Sequence, residues 1–332
     1  MTKTLMISAI ALLASAAGAL AEPDSCKTVR FADVGWTDNT AQNGLFITVA
    51  KGLGYQTKVD VLALPVILEG LKNKNLDLFL DNWLPSNEEG MKPYRAAKSV
   101  EELPPDLTGA GYGPVVPDYV AAEGVKDIKD LATHADKFKK KFYGIEPGND
   151  GNKIVQKLMD DSGSPLHGWK LVESSEQGML AQAQKSMKKQ EWIAFLGWTP
   201  HPVMGKMELV YLTGFENDGF GDAQIKTLTR AGYSAECANV GKLLANLKFE
   251  LPMESAIMEQ IDAKVDGEVA AADWLKANPA VLDTWLAGVT TTDGQEGAAA
   301  VKKSLGFRSL GDVKKAYVTL ADGQTIDIST GV

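Results

Sequence analysis

Histidine and cysteine are scarce in this chain of 332 residues, with three of the first and two of the second. His134, His167 and His201 stand in unrelated contexts, and Cys26 and Cys237 are far apart, so a metal centre has no support and neither metal nor cofactor is expected. No HExxH, GxSxG or GxxxxGK[ST] occurs, which removes the usual signatures of zinc hydrolases, serine hydrolases and P-loop enzymes. No catalytic residue is nominated, and the chain is not expected to be an enzyme. Positive charge is short as well: 34 Lys and Arg stand against 43 Asp and Glu, a net of -9. That balance disfavours nucleic acid and anionic membranes as partners. After the first residues no apolar run approaches the ~18 residues of a membrane span, so membrane insertion is not expected.

What is present begins with a leader. Residues 1–21 have the form of a signal peptide: MTK is a small positive n-region, Leu5 to Leu13 an apolar h-region, and Ala19-Leu20-Ala21 a small-x-small cleavage site. The mature chain is then expected to start at Glu22, with the single leader Lys lost and the net charge moved from -9 to -10. Cys26 does not directly follow the cleavage point, as a lipoprotein's cysteine would, so the protein is read as free in the periplasm; a monomer is expected. In that oxidising space the only two cysteines, Cys26 and Cys237, are expected to pair. The chain-entropy model puts the effect of so large a loop at about 5 kcal/mol at most.

Strand-like and helix-like stretches alternate along the mature chain. VRFADV, a helix from about Asp38 to Leu53, TKVDVLAL, a helix from Pro65 to Leu71 or beyond, and LDLFLD form a βαβαβ pattern, which favours a parallel sheet with right-handed crossovers. In the first helix Phe46, Val49 and Leu53 share a face, with Asp38 or Thr40 available as N-cap. KSVEELPPDLTGAGYGPVVPDY, rich in Gly and Pro, reads as a domain crossing. A second α/β block follows: KFYGIE, a helix from Asn149 to Asp160, WKLVES, a helix from about Ser175 to Lys189, and WIAFLGW. MELVYL reads as a strand returning to the first lobe, the last hundred residues are mostly helical in pattern, and VKKAYVTLADGQTIDIS looks like a hairpin on a DG turn. The expected division is a first lobe of residues 22–111 and 206–332 and a second lobe of residues 112–205, with hinge closure around a ligand in the cleft between them.

Three apolar runs end on tryptophan: VRFADVGW at Trp36, LDLFLDNW at Trp83 and WIAFLGW at Trp198. Ligands of open parallel sheets sit beyond the carboxyl ends of the strands, so three indoles are expected to face the cleft. Tyr112, between Gly111 and Gly113 at the crossing, would make a fourth wall. A box of aromatic faces attracts a cation that has no N–H donors, because the ring quadrupole offers negative potential without a hydrogen bond, at about 0.5–2 kcal/mol per desolvated face. Quaternary ammonium is the natural guest. A sugar, which also stacks on tryptophan, is the chief rival. Asp38 is by default a helix N-cap, or else a counter-charge to a cationic guest; Asn149, in the turn EPGNDGN, is likewise an N-cap by default. Apart from Arg30 at the start of the first run, six residues before Trp36, no Arg lies in these motifs, which argues against a ligand whose carboxylate must be bound. Trp169, Trp192, Trp274 and Trp285 are assigned to core packing.

DVGWTDN, DNWLPSNEEGMKPY, GYGPVVPDYVAAEGVKDIKDL, GIEPGNDGN and GWTPHPVM, in that order, resemble the substrate-binding proteins of ABC transporters for quaternary ammonium compounds, the glycine betaine, choline and proline betaine group, and within it the choline binders. The resemblance implies an α/β, two-lobed periplasmic binding protein fold of type II and delivery of the ligand to an ABC transporter permease. It further implies that Trp36, Trp83, Tyr112 and Trp198 form an aromatic box for the trimethylammonium group, that Asp38 faces the cation, and that Asn149 reaches the ligand hydroxyl. Choline, or a related quaternary ammonium ligand, is the expected small-molecule partner, with glycine betaine, proline betaine and acetylcholine as alternatives and an exported enzyme acting on a quaternary amine as the remote one. The tail from about Phe307 is not covered by this resemblance.

Overall fold

The computed structural model describes residues 22–307, 317–319 and 325–327; the expected signal peptide and the DG turn of the tail lie outside the described residues. The chain is α/β, built on one ten-stranded sheet. Strands β1 (Thr28–Asp33), β2 (Gln56–Val61) and β3 (Leu78–Leu84) alternate with helices α1 (Thr37–Gly52) and α2 (Leu64–Lys72), as the apolar patterning predicts. Helix α3 (Glu88–Ala97) and strands β4 (Val100–Glu102) and β5 (Leu107–Pro117) follow. The second block holds α4 (Asp118–Ala122), α5 (Ile128–Thr133), β6 (Lys141–Tyr143), α6 (Asp150–Asp160), β7 (Lys170–Val172), α7 (Glu176–Met187) and β8 (Phe195–Thr199). Strands β9 (Leu209–Tyr211) and β10 (Gly221–Arg230) precede a run of helices that includes Leu251–Asp262 and Gly267–Ala277.

The strand order is β2-β1-β3-β10-β5-β8-β6-β7, with β4 beside β10 and β9 beside β5. β1 runs parallel to β2 and β3, and β6 runs parallel to β7 and β8, but β10 is antiparallel to β3 and β5, and β5 is antiparallel to β8. The sheet is therefore mixed, where the βαβαβ pattern alone predicts a parallel one. Two parallel ends are joined through the long antiparallel pair β5 and β10. The Gly/Pro-rich segment read as a domain crossing is largely extended, holding β4 and the eleven-residue strand β5. MELVYL does not return to β3: its strand β9 pairs with Val115–Pro117 at the far end of β5. The strand that reaches β3 is β10.

Helix α1 starts at Thr37 because Trp36 takes the N-cap position in an extended conformation, and neither Asp38 nor Thr40 caps it. Its apolar face, with Phe46, Val49 and Leu45 fully buried, packs onto the sheet, where Phe46 meets Phe31 edge-on at 5.3 Å. On another face it lies so close to helix Gly267–Ala277 that a Cβ on Gly44 would come within 2.3 Å of the Gly267 carbonyl oxygen. Only glycine fits there. The remaining face is polar and still buried: Asp38, Asn39, Gln42 and Asn43 are each at most 2 % exposed.

One end of the sheet is clamped by charge and by a covalent bond. Asp77 receives Arg30 Nε and Nη2 at 3.0 and 2.7 Å and Arg230 Nε at 2.8 Å, joining β1 to β10. Arg230 also pairs with Glu236, next to the disulfide Cys26–Cys237, whose Cα atoms are 5.5 Å apart. The pairing expected from cysteine count is thus present, with the N-terminal strand beside residue 237. In the tail, β11 (Tyr317–Thr319) and β12 (Thr325–Asp327) pair antiparallel, as a hairpin requires.

Candidate functional site

A cavity of about 240 Å³ lies where the two ends of the sheet meet, lined by Trp36, Asp38, Trp83, Tyr112, Ile145, Asn149, Asp150 and Trp198. All six residues expected to touch a ligand border it. No Lys or Arg lines it.

Each wall has a separate origin. Trp36 comes from the turn before α1, Trp83 from β3, and Trp198 from β8 directly opposite Tyr112 of β5 in the sheet register. Tyr112 stands between the two indoles, with centroids 5.8 Å from Trp83 at 58° and 6.4 Å from Trp198 at 80°. The glycine that makes room for it is Gly151, where a Cβ would fall 2.1 Å from the phenolic oxygen; Gly111 and Gly113, singled out in the sequence, have ordinary space. The indole nitrogens of two walls are anchored: Trp36 Nε1 donates to Glu146 Oε2 at 3.0 Å, and Trp83 Nε1 donates to Asp81 Oδ1 at 2.9 Å. Trp198 Nε1 has no hydrogen-bond partner among the described residues. Trp169 and Trp285 are buried in the core away from the cavity, as expected.

The polar groups divide into tied and untied. Asn149 caps α6, its Oδ1 accepting from Asn152 N at 3.0 Å and from the Tyr112 hydroxyl at 3.2 Å, while its Nδ2 donates to Asp150 Oδ1 at 3.0 Å. An amide nitrogen has two hydrogens, so one donor of Asn149 stays available. Asp38 is 1 % exposed and neither carboxylate oxygen has a hydrogen-bond partner. Burial pushes its carboxyl up to about 7, the charge of Glu176 adds to the rise, and His201 and the nearby backbone amides pull it partly back. Behind it, Gln42 Nε2 bridges Glu254 and Asp81 at 2.9 and 3.3 Å, and burial followed by the charge of Asp38 raises both of those carboxyls. Glu146 is pushed up to about 7, chiefly by burial, and burial raises Asp150 too.

A buried carboxylate without a partner is costly, and here Asp38 lines the cavity beside Asp150 with no Lys or Arg in the lining. An unpaired carboxylate favours a cationic guest of any kind, and it is the aromatic lining, poor in hydrogen-bond acceptors, that suits a cation without N–H donors. The rings supply faces to the same guest. Sequence reasoning missed Ile145 and Asp150 as lining residues, and Glu146 and Glu176 as supports. The motif GIEPGNDGN held three of them in plain view, while Glu176 looks like any first-turn helix acid.

Known proteins show the same architecture. A solved ABC-transporter choline binding protein in complex with choline is 49 % identical, with TM-score 0.84 over 86 % of this chain and 100 % of that one. An ABC-transporter choline binding protein in an unliganded semi-closed conformation gives 48 % identity and TM-score 0.78 over the same shares. The glycine betaine/carnitine transport binding protein GbuC of Listeria monocytogenes serotype 1/2a (strain 10403S) is 32 % identical over 154 residues, 46 % of this chain and about half (51 %) of that relative's length. The fold is that of the two-lobed type II periplasmic binding proteins. Among the described residues no helix is long and apolar enough to cross a membrane. Residues 27–277 match the family described as the substrate binding domain of ABC-type glycine betaine transport systems, and the chain belongs to that family.

Proposed function

We propose that this protein binds choline in the periplasm, closes its two lobes around it and delivers it to an ABC transporter permease, acting as a carrier and not as an enzyme. In this reading Trp36, Trp83, Tyr112 and Trp198 enclose the trimethylammonium group, Asp38 faces its charge, and the free donor of Asn149 or the indole N–H of Trp198 meets the hydroxyl end. The observation that carries it is the unpartnered, fully buried Asp38 carboxylate at the edge of an aromatic box without Lys or Arg. The better fit to the choline-complexed relative than to the unliganded one supports a closed arrangement of this chain. The lobes of this reading are residues 22–111 with those from Gly221 onward, and 112–220, hinged where β5 and β10 run between the two ends; residues 206–220, expected in the first lobe, go with the second because β9 pairs with Val115–Pro117.

The second reading is glycine betaine, favoured by the family description and by GbuC. Its carboxylate would need donors, and the lining offers carboxylates in their place, so betaine is the weaker ligand. Equilibrium dialysis of the purified protein against labelled choline tests the proposal. One-to-one saturation at micromolar or lower concentration, near about -8 kcal/mol, is expected, and displacement by glycine betaine but not by choline would reverse the ranking.

A further inference from the structure

Beside the box, and using none of its side chains, a second set of buried groups spans the cleft. Glu176 is the first residue of α7, on the opposite side from α1. Its Oε2 accepts the backbone N–H of Thr37 at 2.8 Å, and its Oε1 accepts the Thr37 hydroxyl. The same Oε1 lies 3.2 Å from His201 Nε2. His201 Nδ1 accepts from Val203 N at 3.2 Å, which leaves the ring proton on Nε2 and makes that nitrogen the donor to Glu176. Thr37, Glu176 and His201 are 4, 2 and 4 % exposed.

The local chemistry explains why this contact matters. Trp36 makes no side-chain cap to α1, so the first amides of that helix have no acceptor of their own. Glu176 supplies one from across the cleft, and its negative charge meets the positive end of the α1 dipole. These bonds exist only while the two sides are together; separation returns both partners to water. Thr37 lies between Trp36 and Asp38, and the His201 ring stands edge-on to Trp198 at 5.1 Å. Closing the contact therefore sets three box residues at once.

We propose that Thr37, Glu176 and His201 form an interlobe latch that holds the closed state and sets how long the ligand stays bound, with Glu176 as the positioning residue at its centre. The inference rests on the reading of the site as one that closes over choline. Opening breaks the latch but encounter does not require it, so its loss is expressed in dissociation.

The test is stopped-flow tryptophan fluorescence with choline on the full protein and on Glu176→Ala, Glu176→Gln, Thr37→Ala and the Thr37→Ala/Glu176→Ala double variant. Glu176→Ala is expected to raise the dissociation rate about tenfold with the association rate within about threefold. Glu176→Gln, which keeps an acceptor, falls between it and the unaltered protein, and the double variant dissociates no faster than Glu176→Ala alone. Unchanged dissociation rates, a fall confined to association, or additive effects of the two sites would overturn the latch. Glu176→Gln and Thr37→Ala keep the test intact if Glu176→Ala does not fold. Should the unaltered protein fail to bind choline, the reading of the site falls, and small-angle scattering of the ligand-free proteins decides the latch: Glu176→Ala is expected to be more expanded, and superimposable curves would overturn it.

Discussion

Two buried aspartates, Asp77 and Asp38, lie in the same half of the molecule and are treated in opposite ways. Asp77 receives two guanidinium groups, and although burial pushes its carboxyl up, the bonds from Arg30 and Arg230 outweigh it and hold it below its ordinary value. Asp38 has no side-chain partner among the described residues and, although His201 and nearby backbone amides pull it down, is held well above. The first carboxylate is completed by the chain itself and joins strands; the second is left incomplete, which makes sense only if something from outside completes it. Stability and recognition are thus separated onto two residues of one type.

The sharpest break of this contrast is Asp77→Ala, which leaves two guanidinium groups without their anion. A loss of about 3 kcal/mol in denaturant unfolding is expected, at the low end for a broken buried pair because Arg30 is partly open to water. Choline affinity of the folded fraction should stay within about twofold. Next in size, Trp36→Ala or Trp198→Ala should weaken choline binding more than about tenfold, above ~1.4 kcal/mol, while Leu at either position restores little; near-complete rescue by Leu would assign the attraction to burial in place of the ring quadrupole.

Asp38→Asn should invert the Asp77 result. Removing an unpaired buried charge is expected to leave the melting temperature of the ligand-free protein unchanged or higher, yet to reduce choline affinity by about tenfold. An equal loss in stability would mean that Asp38 is structural after all.

The smallest effect is on pH. Asp38, Asp81, Glu254, Glu146 and Asp150 all have raised carboxyls in the folded state. The native protein therefore binds more protons than the unfolded chain above the unfolded values near ~4, up to about 7 for Asp38 and Glu146, and all five groups make ligand-free stability fall as pH rises through their raised values. Asp77 acts in the other sense: its lowered carboxyl gives stability present above ~4 and lost on acidification. A bound cation favours the ionised form of Asp38, so choline affinity should rise several-fold from about pH 5 to about pH 8, with proton release, and this slope should flatten in Asp38→Asn. Melting curves with and without choline across that range measure both.

Much of the fold and the site is legible in the sequence, for identifiable reasons. Trp36, Trp83 and Trp198 follow apolar strand patterns at places that topology turns toward one cleft, so their convergence on one cavity follows from strand direction. The disulfide follows from the count and the compartment. Strands β5 and β10 are not legible: LTGAGYGPVVP carries loop composition, and its extended form is imposed by neighbours on both sides. The N-cap assignment of Asp38 fails because an indole already holds that position, which frees the carboxylate for the cavity. Glu176 and His201 are hidden because their partners lie 139 and 25 residues away in sequence, a proximity that only the tertiary structure creates.

The central claim is that the site reads positive charge on an apolar body, and calorimetric titration with choline, glycine betaine and the uncharged isostere 3,3-dimethylbutanol tests it most directly. Choline is predicted to bind more than about tenfold tighter than either of the others. Equal binding of 3,3-dimethylbutanol would show that the box recognises shape and apolar surface alone, and would contradict a charge-reading role for Asp38 and the ring faces.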